Sequence, residues 1–385
     1  MEWKPDLLGS GFESTTLPLG HDDEGPVVAT LVKHIPDDDP GMRTVRAHHA
    51  EHSEPRHWWN RLFASRTHAS GQQPSFAFLA VHGWNDYFYQ TELARHVSLA
   101  GGAFYALDLR KYGRSLRTWQ TFGFTSTLHV YSEDLNAAVH AIRQDLAEHA
   151  EHDASHLHIP LIVYGHSTGG LIVPLWIKDH HPEVAGLVLN SPWIELQMST
   201  NTRLAAAPLV DALAKRSPKS VIPQSDTGFY QRVLTGYIGE EEDLASLRKP
   251  LDPRDPAEPE DDPFFAGGWH PDPRLRHAPS WPVRAAWLSA VLAGHAEVAQ
   301  GLNLTMPILL LTSAESVSGN EWSDAFRRAD GVLSVKQIWK RVPYLGSDVH
   351  LVKLSGAIHD VTLSRFSVRE KAFNRIARFC ASIVA

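Results

Sequence analysis

Short apolar runs, each closed by a polar or small-residue turn, punctuate the chain and set its rhythm. Seven of them, rich in Val, Ile, Leu and Phe, read as buried strands: VVATLV (27–32), SFAFLAVHG (75–83), AFYALDL (103–109), PLIVYG (160–165), AGLVLN (185–190), PILLLTS (307–313) and VHLVKLSG (349–356). Between most of them apolar residues return every three or four positions, the period of one helix face. Tyr131, Leu135, Val139, Ile142 and Leu146 make one such stripe, and Val368, Ala372, Ile376, Phe379 and Ile383 another. Strands alternating with amphipathic helices predict an α/β protein, a mostly parallel central sheet with helices on both faces.

Two regions break the rhythm. Residues 36–74 hold no strand-like run and are rich in polar residues, Pro and Gly, which predicts an inserted surface loop with one short helix at 58–63. His48, His49 and His52 invite a metal there. No Cys or paired-carboxylate spacing accompanies them, so a solvated histidine-rich loop is the plainer reading. The second region, 194–303, mixes helical stretches with the acidic, Pro-rich GEEEDLASLRKPLDPRDPAEPEDD, and strand character resumes only at Pro307. It is expected to be a mainly helical cap inserted into a core of 1–193 and 304–385. Cap residues such as Leu209, Leu213, Phe264, Phe265, Trp281 and Trp287 would line an apolar pocket or form the cap's own core. The acidic stretch 240–262 is expected to be a solvated, mobile loop.

Composition narrows the partners. With 385 residues, 43% of them hydrophobic, the chain can bury a large core. Its 36 Lys and Arg against 44 Asp and Glu give a net charge of −8 and no basic block, which excludes a nucleic-acid footprint and leaves a small or neutral partner. Cys380 is the only cysteine, so no internal disulfide forms, and the start MEWKPDLLGSGFES has neither a basic nor an apolar leader segment. A cytoplasmic location is therefore expected. No apolar run approaches the roughly 18 to 20 residues that cross a bilayer, so no integral membrane segment is expected.

The stretch LIVYGHSTGGLIVPLW (161–176) carries the chemistry. Gly165-His166-Ser167-Thr168-Gly169 fits G-x-S-x-G, with a strand before it and a helix after. Such a pentapeptide is common by chance in loops; that context makes Ser167 a candidate nucleophile. The turn would lift its Oγ above the sheet and leave the Thr168 backbone N–H at a helix N-terminus, able to stabilise an oxyanion. His166, the residue before, is expected to point away from the site.

With these residues the chain resembles the α/β-hydrolase superfamily, in its branch of monoacylglycerol lipases, lysophospholipase-like esterases and serine aminopeptidases. VHGWNDYF is similar to the family's His-Gly turn after the third strand, and DLRKYGRS (108–115) to its D-x-R-x-x-G-x-S segment. The resemblance implies the α/β-hydrolase fold and gives the second oxyanion N–H to Trp84. It leaves His82, Gly83, Asp108, Arg110 and Gly113 as loop architecture.

A serine hydroxyl needs a histidine base held in one tautomer by a carboxylate. The family order is Ser, acid, His, and LSGAIHD puts His359 in a small-residue loop after the last strand, similar to the family's G-x-x-H turn. The acid departs from the usual short turn after the sixth strand: Glu315, Glu321, Asp324 and Asp330 all follow PILLLTS. Glu315 lies nearest the strand end. ADGVLSVKQI, however, resembles the family's junction before the helix that leads to the final strand, which favours Asp330 over Glu315 and Asp324 and leaves 315–329 as a surface insertion.

The expected activity is that of a serine esterase, cleaving a monoacylglycerol, lysolipid or similar medium-sized apolar ester through an acyl-enzyme, without metal or organic cofactor. An acyltransferase or peptidase would use the same Ser167, Asp330 and His359. A ligand-binding protein on the same fold is the alternative from another class. Dehalogenase and epoxide-hydrolase chemistry is excluded, because those relatives carry Asp where this chain has Ser167.

Overall fold

A computed structural model describes residues 1–52, 73–149, 159–197, 200–224 and 226–385. Its nine-stranded sheet has the order β1-β2-β3-β5-β4-β6-β7-β8-β9. The strands are β1 (Lys4–Pro5), β2 (Phe12–Asp22), β3 (Gly25–His34), β4 (Phe76–Val81), β5 (Gly102–Asp108), β6 (Leu161–His166), β7 (Val184–Asn190), β8 (Ile308–Ser313) and β9 (Val349–Leu354). From β5 to β9 every neighbouring pair is parallel; β1, β2 and β3 add antiparallel strands at one edge.

All seven strand-like runs form strands. Sequence reading misses β1 and β2, because FESTTLPLGHD alternates buried and exposed positions and carries Pro18 and polar residues where the central strands are continuously apolar. The hairpin between β2 and β3 closes on Asp22, whose Oδ1 accepts the Glu24 N–H at 2.8 Å.

The helices are α1 (Gly41–His52), α2 (Thr91–Leu99), α3 (Tyr131–His149), α4 (Gly169–His180), α5 (Thr200–Arg216), α6 (Phe229–Leu234), α7 (Ala285–Gln300), α8 (Val335–Arg341) and α9 (Phe366–Ile383), besides a single turn at Leu244–Leu247. Strand alternation sorts the core. In β4, Ala77, Leu79 and Val81 face α3 and α4, while Phe76, Phe78 and Ala80 face α2 and α9. Phe78 is fully buried between Phe104 and Tyr164, and truncating it to Ala would cost about 3–5 kcal/mol.

Three expectations need correction here. Part of the expected 36–74 loop is a helix: α1 buries Met42 and Val45, one turn apart, and Asp39 Oδ1 accepts the Gly41 N–H at 2.8 Å at its start. The helix expected at 58–63 lies outside the described residues. In the 194–303 region, Leu209 and Leu213 face solvent, and Phe264 and Phe265 are buried with Val233, Leu234, Tyr87 and Phe326. Lining a pocket is thus not the role of these four.

The acidic stretch 240–262 is exposed at Glu240, Glu241 and Asp243, as a solvated loop would be, but its far end is anchored. Glu258 and Asp262 are buried at the start of α9, where Asp262 Oδ2 accepts the Phe366 N–H at 2.9 Å and Glu258 the Ser367 N–H at 3.2 Å. Carboxylates are favoured there because the first turn of a helix leaves N–H groups without acceptors and carries partial positive charge. Arg369 completes the clasp, reaching Asp262 at 2.7 Å and Glu92 at 2.6 Å. No helix among the described residues is long and apolar enough to cross a membrane.

Candidate active site

β6 runs straight into a strained turn. Ser167 has φ +52°, a left-handed conformation costly for a residue with a Cβ. What enforces it is packing on both sides: a Cβ on Gly165 would lie 2.6 Å from Gly169 O, and one on Gly169 would lie 2.5 Å from His82 O. Hydrogen bonds then lock the turn: Ser167 N–H donates to Asn190 O at 3.0 Å, and Ser167 O accepts the Trp193 N–H at 2.8 Å. Thr168 follows as the N-terminal cap of α4.

The turn after β4 comes over this serine. A Cβ added to Gly83 would lie 2.9 Å from Ser167 Cβ and 3.4 Å from its Oγ, so only glycine permits the approach. His82 holds the turn, its Nδ1–H donating to Gly83 O at 2.7 Å while Nε2 accepts the Leu109 N–H at 3.0 Å. Trp84, next along, packs its ring 4.0 Å from Trp287. Asn85 ties the turn to the 194–303 region, its Nδ2 donating to His277 O at 2.8 Å. Among the hydrogen bonds of the described residues, none is donated by the backbone N–H of Trp84 or Thr168.

The segment similar to D-x-R-x-x-G-x-S is scaffolding. Asp108 accepts the Phe88 and Arg114 N–H groups at 2.9 Å each, and Arg110 pairs with the buried Asp134 at 2.7 Å.

His359 lies in the loop after β9, buried, with Nδ1 2.9 Å from Asp330 Oδ2. Asp330 is itself fully buried, and its other oxygen accepts the N–H groups of Val332 (2.8 Å) and Leu333 (2.7 Å). Glu315 is exposed; only its backbone carbonyl meets Asp330, accepting the N–H at 2.9 Å. Asp324 pairs with Arg327 and Arg328. The expected surface insertion 315–329 is partly buried: Phe326 packs 4.8 Å from Phe229 of α6, and Arg327 donates to Glu242 and to Tyr237 O.

His166 contradicts expectation. Its ring is buried, with its centroid 5.0 Å from that of His359, because the β6 strand ends with this side chain directed under the His82–Gly83 turn and not outward. Sequence reading also missed Asp360, and offered Tyr230 only as one of the aromatics of the 194–303 region. Asp360 is buried beside His359 and accepts from Asn190 Nδ2 (2.7 Å) and Thr362 Oγ1 (2.6 Å); Tyr230 sets its ring edge-on to His359 at 5.7 Å. Asp86 is buried too. Burial pushes its carboxyl up to about 8, against the pull of Arg276 3.6 Å away.

Aromatic rings flank the serine turn. Trp193, whose N–H holds Ser167 O, lies 5.9 Å from Trp287, and Phe122 stacks on Trp281 at 5.2 Å. Among the described residues, no group of three or more His, Cys, Asp or Glu side chains could hold a metal.

The model of one family, serine aminopeptidase S33, matches residues 72–338, which include the serine turn, the His-Gly turn and Asp330. The chain belongs to this family. Its S33 fold is shared by solved structures of low identity. A soluble variant of monoglyceride lipase from Saccharomyces cerevisiae superposes with a TM-score of 0.54 at 16% identity, covering 100% of this chain and 95% of that one. The Paleococcus ferrophilus monoacylglycerol lipase gives 0.51 at 16% identity, over 81% and 96% of the two chains. A thermostable carboxyl esterase from Bacillus coagulans gives 0.54 at 13%, over 97% and 99%. In sequence, the phospholipase YtpA of Bacillus subtilis is 38% identical over 50 residues, which span 13% of this chain and 19% of that relative.

Proposed function

We propose that this S33-family hydrolase is a serine esterase acting on carboxylic esters through an acyl-enzyme. The observation that carries the reading is Ser167 in a left-handed turn between β6 and α4, in a protein whose His359 and Asp330 form a buried imidazole–carboxylate pair. Ser167 Oγ attacks the ester carbonyl as its proton passes to His359 Nε2. Asp330 holds His359 Nδ1–H and favours the imidazolium that forms. The free N–H groups of Trp84 and Thr168 receive the oxyanion. Collapse of the tetrahedral adduct returns the proton to the departing alkoxide, and water repeats the sequence on the acyl-enzyme, releasing the acid and restoring Ser167.

The substrate is a medium-sized apolar ester such as a monoacylglycerol or lysolipid. Rings of Trp84, Trp193, Trp281 and Trp287 near the serine turn support an apolar binding region, and neighbours named as monoglyceride lipases and a phospholipase agree with it. No cofactor enters any step. The test is fluorophosphonate labelling with peptide mass mapping, run beside hydrolysis of p-nitrophenyl and glycerol esters and of amino-acid p-nitroanilides. Labelling at Ser167 and turnover of the esters are expected. Turnover of the anilides alone would assign the family's peptidase chemistry instead, and no labelling of a folded protein would favour a binding protein.

A further inference from the structure

The two residues that adjoin the reacting pair in sequence, His166 before Ser167 and Asp360 after His359, face each other in the interior, with His166 Nε2 4.0 Å from Asp360 Oδ2. Asn190 joins them from β7. Its backbone carbonyl accepts both the Ser167 N–H at 3.0 Å and the His166 Nδ1–H at 3.1 Å, and its side-chain amide donates to Asp360 Oδ1 at 2.7 Å. Asn190 Oδ1 in turn accepts the Val361 N–H at 3.2 Å, one residue past Asp360. Every participant is buried. A loop carrying His359 and a turn carrying Ser167 are therefore fastened to one asparagine.

We infer that His166, Asn190 and Asp360 form a positioning link that sets the catalytic imidazole against the nucleophile. The inference rests on the esterase reading for its kinetic consequences only. Alignment follows from geometry: the link spans the two segments whose relative placement sets the path of the proton from Ser167 to His359. Charge follows from what each member carries. Burial holds His166 down, to about 4, against the pull of Asp360, so at neutral pH it is an uncharged ring beside His359 and does not oppose formation of the imidazolium. Burial also opposes ionisation of Asp360, but His166 and the donors Thr362 and Asn190 outweigh it and hold this carboxyl below its ordinary value. The charged and titratable groups around the link are His359 and Asp330 on the side of His166, and Tyr164, Tyr230, Asp86 and Arg276 on the side of Asp360. Arg276 lies 3.6 Å from Asp86.

The experiment uses the full chain as His166→Ala, His166→Gln and Asp360→Asn, each first checked by urea unfolding. His166→Ala is expected to lower kcat and the rate of fluorophosphonate labelling tenfold or more with KM within about twofold, and His166→Gln, which can still donate to Asn190 O, to recover most of the loss. Asp360→Asn keeps the shape and removes the charge. In both His166→Ala and Asp360→Asn, amide hydrogen exchange at Ser167 and Val361, whose N–H groups Asn190 accepts, is expected to quicken tenfold or more. A folded His166→Ala with unchanged kcat and labelling, or an Asp360→Asn whose exchange at Ser167 and Val361 does not change, overturns the inference. Should His166→Ala fail to fold, the isosteric Asp360→Asn decides it. A wild type that neither labels nor hydrolyses esters overturns the esterase reading instead, and hydrogen exchange at Ser167 and Val361 still judges the link.

Discussion

Asp330 meets His359 with one oxygen only: Oδ2 lies 2.9 Å from the imidazole Nδ1, while Oδ1 is saturated by the N–H groups of Val332 and Leu333. An Asn here cannot serve both partners. Its amide oxygen would stay with the two backbone donors and its NH₂ would face Nδ1, forcing His359 into the tautomer that cannot take the serine proton. Asp330→Asn is expected to keep its unfolding midpoint and lose up to about ten-thousand-fold in kcat. Glu315→Gln and Asp324→Asn, whose side chains do not meet His359, should stay within a fewfold of wild type. An active Asp330→Asn beside a dead Glu315→Gln would move the acid to the end of β8.

Ser167→Ala is expected to fold and to lose hydrolysis by several orders of magnitude, since the oxyanion donors alone give only residual catalysis. His359→Ala should cost about as much. Stopped assays of ester hydrolysis at high enzyme concentration measure both, and near-normal turnover by either variant would remove that residue from the mechanism.

Asp86 gives the protein a pH-dependent weakness. Burial raises its carboxyl to about 8, so between the unfolded value near 3.8 and about 8 the folded protein binds a proton the unfolded chain has released. The stability this proton brings is present below pH 4 and is lost as pH rises through 8. Urea unfolding of wild type and Asp86→Asn should therefore diverge, the Asn variant gaining more than about 1 kcal/mol relative to wild type between pH 5 and pH 8.5. Parallel curves would mean that Arg276 keeps Asp86 ionised.

Asp262 is the test of how firmly 240–262 is held. Removing its carboxylate leaves the α9 N-terminus without an acceptor at Phe366 and takes one of two carboxylate partners from the buried Arg369, which keeps Glu92 and the Ser364 carbonyl. Asp262→Ala is expected to cost about 3 kcal/mol in urea unfolding. A loss under about 1 kcal/mol would return the stretch to the solvated loop its composition predicts.

What was legible in the chain follows period and local context. Continuous aliphatic runs, from VVATLV to VHLVKLSG, made strands because both sheet faces are covered, and G-x-S-x-G declared itself because a strand enters and a helix leaves. His359 and Asp330 were reachable only through family order and a helix-junction resemblance. The rest depended on partners far away in sequence. Nothing local in FESTTLPLGHD announces pairing with β3. The acidic composition of 240–262 reads as solvent-facing until α9 supplies its unpaired N–H groups and Arg369. His166 was misread because a residue's direction at a strand end depends on what packs beneath, here Asn190 and Asp360.

Arg327 links the 194–303 region to the segment that carries Asp330. It is buried, reaches Glu242 with both terminal nitrogens and donates to Tyr237 O at 2.8 Å, three residues before Asp330 in a segment whose Phe326 packs on Phe229. That segment returns to pair with the chain leaving β8, Val317 N–H donating to Asp330 O at 2.9 Å. Displacing Arg327 would let the segment shift and loosen Asp330 against His359, with Ser167 untouched. Arg327→Met keeps an apolar stem and leaves Glu242 with Arg232 at 2.8 Å, so the fold should survive with a loss of about 1–3 kcal/mol. Expected with it is a fall in kcat at unchanged KM, steeper at high temperature than for wild type, and partly restored in Arg327→Lys. Equal kcat in Arg327→Met and wild type, with the stability loss present, would show that Asp330 is held by Val332 and Leu333 alone and that this contact braces the fold without reaching the chemistry.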